Sequence, residues 1–318
     1  MDALPNYQYV IHRIKFFVIL SLQIPAILIF LFIFAFFITN PTQLNKLQNK
    51  ALLVLFIVNF VQLTVNLPMC LDFFRLSYIS PATGIYCRGW MYIESTLDAT
   101  NELLAAIISI QRHPLIFRPH LFRNTIKRYV FYYLPLLFGV IYPVAFYMGT
   151  IVFYPCDNAD WDFTSNMCGD TTCYLTKNPA LAMFDWIVNT ALLAIVIMLA
   201  NIVLIIRVIR QRLRQQRAVS WSKQRRMTIQ LISISSLYLL IWIPSIIFGL
   251  IQQISPTDEI DEIQTDYVED LTYFICLLIP WIGIGMLPDF KKWMLKQFHR
   301  LRKPPNAIGT TTVRTEAH

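Results

Sequence analysis

Charge is scarce in this chain. Only 14% of its 318 residues are Asp, Glu, Lys or Arg, and 56% are apolar. A soluble domain carries about 25% charged residues. Cys70, Cys87, Cys156, Cys168, Cys173 and Cys276 form no Cys-x-x-Cys pair, so a zinc-binding module is excluded. There is no His-rich metal box, no Ser or Cys beside a base, and no phosphate loop. Nothing therefore calls for an enzyme, a metal or a cofactor. No internal repeat is visible, which weighs against transporters built from inverted halves. The sequon-like Asn40-Pro41-Thr42 is blocked as a glycosylation site by its proline.

What the chain has is long apolar runs. A bilayer span needs about 20 apolar residues, and the runs place spans near 16–39, 51–74, 88–112, 129–154, 180–206, 227–252 and 268–287. The first is too long for a signal-peptide core and is expected to stay in the protein. The third is the least hydrophobic. The expected fold is all-α: a seven-transmembrane helix bundle over 16–287. Residues 1–15 form an outer N-terminus, and 288–318 form a cytoplasmic tail with a short amphipathic eighth helix.

The formal charge of +8 does not indicate nucleic acid, because the basic residues are segregated in loops between apolar runs. Of 27 Lys and Arg, 22 fall in the loops after spans one, three and five and in the tail, leaving Arg13, Lys15, Arg75, Arg88 and Lys177 on the other side. That other side also holds Asp157, Asp160, Asp162 and Asp170 in one loop and Asp258, Glu259, Asp261, Glu262, Asp266, Glu269 and Asp270 in or beside another. Cytoplasmic loops of membrane proteins carry the excess of Lys and Arg. The chain is thus expected in the plasma membrane, crossing it seven times with its N-terminus outside. In the tail, Phe290, Trp293, Met294, Phe298 and Leu301 recur at helical spacing beside Lys291, Lys292, Lys296, Arg300 and Lys303. Such a helix lies on the lipid of the inner leaflet.

Span three carries the chemistry. Glu94, Asp98 and Glu102 stand at i, i+4 and i+8, on one helix face. Each charged carboxylate at mid-bilayer costs about 2.5–3.5 kcal/mol, so this face points into the bundle. No Lys or Arg lies deep in another span to pair with it; Arg75 and Arg88, near the outer end, could pair with Asp72 or Glu94.

Several spacings coincide. Arg112 follows Cys87 by 25 residues in Gln111-Arg112-His113, and Pro119 comes seven residues later. Span six has Ile241-Trp242-Ile243-Pro244 with Tyr238 one turn earlier. Span seven ends in Pro288-Asp289-Phe290-Lys291-Lys292. Together these resemble the rhodopsin-like (class A) G-protein-coupled receptors, in a divergent form of invertebrate chemosensory or peptide type. The motifs are degenerate. Only the Arg of the family's Asp/Glu-Arg-Tyr triplet is kept. Pro280-Trp281 stands where Asn-Pro is usual, with Ile284 in place of Tyr. The Asn of the first span, the Asp of the second and the Pro of the fifth are missing, and Thr64 or Asn66 occupies the region of that Asp.

The resemblance implies roles. Gln111, Arg112 and His113 would meet a heterotrimeric G protein, Arg112 emerging when span six swings out; a plain charge anchor is the simpler role. Tyr238, Trp242, Pro244 and Pro280 would form the activation hinge, since proline removes a backbone hydrogen bond and kinks a helix. Glu94, two turns below Cys87, stands where amine receptors bind the ligand ammonium. Glu94, Asp98 and Trp242 are therefore the candidate ligand residues, with a structural carboxyl as the alternative for Glu94. Cys87 would pair with Cys168 or Cys173 of the second outer loop. Cys173 is favoured, leaving Cys156 and Cys168 to close a small loop.

The acidic outer mouth would concentrate cations, so the expected ligand is a cationic amine or basic peptide. An ion-coupled transporter or channel is the alternative, the acidic face of span three lining a cation path. An opsin needs a Schiff-base lysine in span seven, and 268–287 has none. The orientation is checked by epitope access: a C-terminal tag should be reached only after permeabilisation and an N-terminal tag on intact cells. Both tags on one side would overturn the seven-span reading.

Overall fold

The computed structural model describes residues 6–155, 161–170, 173–214, 221–254, 263, 267–268, 270–287 and 289–302. Cys156, Asp157, Asp160, Asp258, Glu259, Asp261, Glu262, Asp266, Glu269, Pro288 and the tail after 302 lie outside the described residues. So do the side chains of Cys173 and of the basic residues from 212 to 226.

Eight long helices follow one another: α1 (Asn6–Thr39), α2 (Leu47–Leu76), α3 (Gly84–Phe117), α4 (Thr125–Val152), α5 (Pro179–Arg210), α6 (Trp221–Ile254), α7 (Asp270–Met286) and α8 (Phe290–Arg302). No strand occurs among the described residues. By length and composition α1, α2, α4, α5 and α6 could each cross a bilayer alone. The helix α7 is short at 17 residues and passes only together with α8. The helix α3 fails because its carboxyls interrupt the apolar run, and its environment compensates. It packs against α2, α4, α5 and α6, so its polar face meets protein rather than lipid.

The outward faces are apolar. Phe17, Ile38, Phe131, Leu137 and Leu240 are all exposed, as expected where the solvent is lipid. Close approach to α3 relies on a small residue: a Cβ at Gly139 of α4 would lie 2.8 Å from Ile107 Cδ1 and 3.1 Å from Leu104 Cδ2. Small residues allow such helix contacts where hydrophobicity gives no inward drive.

Two ends differ from expectation. The first helix begins at Asn6, so residues assigned to a polar N-terminus continue the span. They find partners there: Lys15 Nζ pairs with Asp270 of α7 at 2.8 Å, and His12 Nδ1 lies 3.2 Å from Ser77 Oγ. At the other end, α8 folds back on α1. The Phe290 and Trp293 rings lie 5.6 and 5.7 Å from that of Phe36, while Lys291 and Lys292 are exposed.

The disulfide also differs: Cys87 is bonded to Cys168, not Cys173, with Cα atoms 5.9 Å apart. This also rules out the Cys156–Cys168 pair. The cause is the turn that precedes Cys168. Asp162 accepts from Thr164 N at 2.8 Å, Thr164 Oγ1 at 2.6 Å and Ser165 Oγ at 2.6 Å. Partial burial raises the Asp162 pKa, but the bonds from Ser165 and Thr164 outweigh it and leave the carboxyl below its ordinary value. Asp162 N then donates to Cys168 O at 3.2 Å, and Ile79 N donates to Phe163 O at 2.8 Å. The loop is thereby tied to the start of α3, and Cys168 comes to rest above Cys87. We expect Cys87→Ala and Cys168→Ala to lower thermal stability equally, by about 2–5 kcal/mol. The double variant should be no worse, because one bond is lost in all three. Equal losses from Cys87→Ala and Cys173→Ala, with Cys168→Ala silent, would contradict this pairing.

Candidate functional site

All three carboxyls of α3 face protein. Glu94 is 4% exposed and Glu102 1%. Glu94 Oε2 accepts from Trp90 Nε1 at 3.2 Å, one turn earlier, and from Tyr273 OH of α7 at 3.3 Å. Of the two partners open to Arg75, Asp72 and Glu94, it pairs with Asp72 at 2.7 Å, within α2. Asp98 Oδ1 accepts from Gln62 Nε2 at 2.5 Å. Gln62 Oε1 accepts from Asn101 Nδ2 at 2.6 Å, and Asn101 Oδ1 accepts from Asn59 Nδ2 at 2.8 Å. This amide chain pins α2 to α3. Asn59 and Gln62, rather than Thr64 or Asn66, are the α2 side chains that bond to Asn101. Glu102 Oε1 is buried with no hydrogen-bond partner.

A fourth acid faces them. Asp185 stands in a π-helical turn of α5, Asp185–Ala191, where the widened backbone turns polar groups inward. Its Oδ1 accepts from Tyr147 OH at 2.9 Å and Asn189 Nδ2 at 2.6 Å, and its Oδ2 from Tyr174 OH at 2.8 Å. The sequence reading missed this residue. The available signal was an ionisable group inside an apolar span. The tyrosines around it left no signal, because their contacts join separate segments.

Glu94, Asp98, Glu102 and Asp185 line one cavity of about 160 Å³, with Trp242 of α6 and Tyr273 of α7. Its described lining contains no Lys, Arg or His. Carboxyls one helix turn apart, about 6 Å, repel by about 3 kcal/mol when charged at an effective dielectric constant of 20. The cavity thus gathers four acids with no basic residue in its described lining. Glu94, Asp98 and Trp242 thus do come together. Trp242 is half-buried and its Nε1 has no partner. Tyr238, one turn away, is 1% exposed, and Pro280 is buried within α7.

Toward the opposite end of α3, Gln111, Arg112 and His113 point three ways. Gln111 Nε2 donates to Tyr132 O of α4 at 3.0 Å, and His113 Nε2 donates to Ala200 O of α5 at 2.9 Å. Arg112 is 4% exposed, and its Nη2 has no hydrogen-bond partner. Beside it is a void of only about 10 Å³, bordered by Leu55 of α2, Asn201 of α5 and Ile234 of α6. One turn before Arg112, Ser109 Oγ lies 3.3 Å from Ser235 Oγ of α6.

No curated protein sequence matches the chain. Its fold is similar to the crystal structure of squid rhodopsin, at TM-score 0.68 and 16% identity, covering 95% of this chain and 88% of that one. That likeness concerns the fold. The sequence model of the 7 transmembrane receptor (rhodopsin family) matches residues 30–282, most of the chain. This is a receptor family rather than an enzyme family, and its members are multi-pass proteins of the plasma membrane that couple in general to G proteins. With the family's sequence pattern and its seven-helix fold both present, the chain belongs to the rhodopsin family of seven-transmembrane receptors.

Proposed function

We propose that this receptor binds a cationic ligand, an amine or a basic peptide end, in the cavity between α3, α5, α6 and α7. The observation that carries the reading is four carboxyls around one cavity whose described lining has no counter-cation. A buried carboxylate without a partner is costly, and an ammonium or guanidinium group relieves that cost. The ligand enters from the end that carries the Cys87–Cys168 bond, which faces outside with the N-terminus. The ammonium meets Glu94, whose carboxylate Trp90 and Tyr273 already orient.

Binding is read at the other end by a heterotrimeric G protein. Trp242 touches the cavity two residues before Pro244, where α6 lacks a backbone donor. A ligand that displaces the Trp242 ring can bend α6 there. Outward motion of α6 would part Ser235 from Ser109 and open the packing over Arg112. The basic face of α8 rests on lipid headgroups beside that opening.

Two outcomes test this. Glu94→Gln keeps the shape and removes the charge, and should weaken binding of a cationic agonist at least about tenfold, or about 1.4 kcal/mol. Lower expression with unchanged affinity in surviving receptors would make Glu94 structural. Arg112→Ala should abolish nucleotide exchange on the G protein while ligand binding and surface expression persist; undiminished exchange would remove Arg112 from coupling. Ligand-free cation flux in liposomes would favour a transporter or channel instead.

A further inference from the structure

One cation does not account for the cavity. The acids are stacked along α3 rather than gathered at one point. With a rise of about 1.5 Å per residue, Glu94 and Glu102 stand about 12 Å apart along the helix, with Asp98 midway. Their local partners differ. Glu94 is held by Trp90 and Tyr273, Asp98 by Gln62, and Asp185 by Tyr147, Asn189 and Tyr174. At the deep end, Glu102 has no such arrangement: it is 1% exposed, lines the same cavity, and its Oε1 lacks any hydrogen-bond partner. A single ammonium at Glu94 leaves that oxygen as it is.

We propose that the cavity takes a linear dication, an α,ω-diamine or polyamine, with one ammonium at Glu94 and the second at Glu102. The inference rests on the reading that the cavity binds a cation, and it adds a second subsite and a ligand length. Each ammonium sits about 2.8 Å from its carboxylate. The two nitrogens are therefore about 7–12 Å apart, depending on how far each lies between the acids or beside them. An internal secondary ammonium of a polyamine would pass Asp98. The methylenes between the charges have apolar wall beside them in Ala99 and Trp242. A monoamine of equal length would place a methyl group against the unpartnered Glu102 oxygen, which replaces a charge-assisted hydrogen bond with a desolvated acceptor.

The test uses purified full-length receptor in nanodiscs, titrated by thermal shift with α,ω-diaminoalkanes of increasing chain length and with 1-aminoalkanes of the same lengths. The diamines should bind at least about tenfold tighter than the matching monoamines, with an optimum at one chain length. Glu102→Gln should bring the best diamine down to the level of its monoamine, costing the diamine at least about tenfold more than the monoamine. Glu102→Asp keeps the charge but withdraws it by one methylene, so it should move the optimum to a longer diamine. Glu94→Gln should weaken both series. Equal affinity for diamines and monoamines, or a Glu102→Gln variant that keeps the full diamine advantage, overturns the second subsite while the single-cation reading stands. A shift from neither series overturns both.

Discussion

A carboxylate cannot rest against lipid, and α3 carries three within nine residues. The interior of a bilayer offers neither water nor counter-ion, so a helix with Glu94, Asp98 and Glu102 on one face survives only behind other helices. The arrangement around it follows. The amides of α2 turn toward Asp98, α7 presents Tyr273 to Glu94, and α5 brings its own acid to the other side of the cavity. The lipid-facing surface is left to helices whose exposed side chains are mainly apolar.

The same burial creates a site. Neutral donors hold one oxygen of Glu94, one of Asp98 and both of Asp185 in place. In a medium of low polarity an ionised carboxyl attracts a cation more strongly than it would in water. The remaining polar elements are short-range. The amide chain Asn59–Asn101–Gln62–Asp98 locks α2 to α3, and Ser109–Ser235 joins α3 to α6. The cavity and Arg112 therefore share one helix, α3. They also share α5, through Asp185 and Asn201, and α6, whose Trp242 touches the cavity and whose Ser235 lies near the arginine.

Five spans could be read directly from apolar runs, because a helix facing lipid is marked by what it lacks. The third could be read only by argument: its acids made it a poor span by composition and a good one by burial. The cavity was half legible. Glu94, Asp98 and Glu102 share a face by helical periodicity, which is local. Asp185 joins them only because α5 packs across from α3, and Tyr147 and Tyr174 only because α4 and the segment before α5 meet there. The choice of Cys168 over Cys173 depended on a turn closed by Asp162, Thr164 and Ser165, whose hydrogen bonds no spacing rule encodes.

The sequence by itself determined the number of spans, the segregation of basic residues to one side, the inward direction of the α3 acids and the position of Arg112 on the same helix. These follow from hydropathy and the helical repeat, both properties of neighbours along the chain. The tertiary structure decided the rest. It chose the cysteine that closes over Cys87, supplied the fourth acid, and turned Gln111 and His113 away from Arg112 toward α4 and α5. It also left Glu102 buried without a partner. Those outcomes depend on which side chains from distant segments come within about 3 Å of one another, and hydrogen bonding at that range is set by packing rather than by order in the chain.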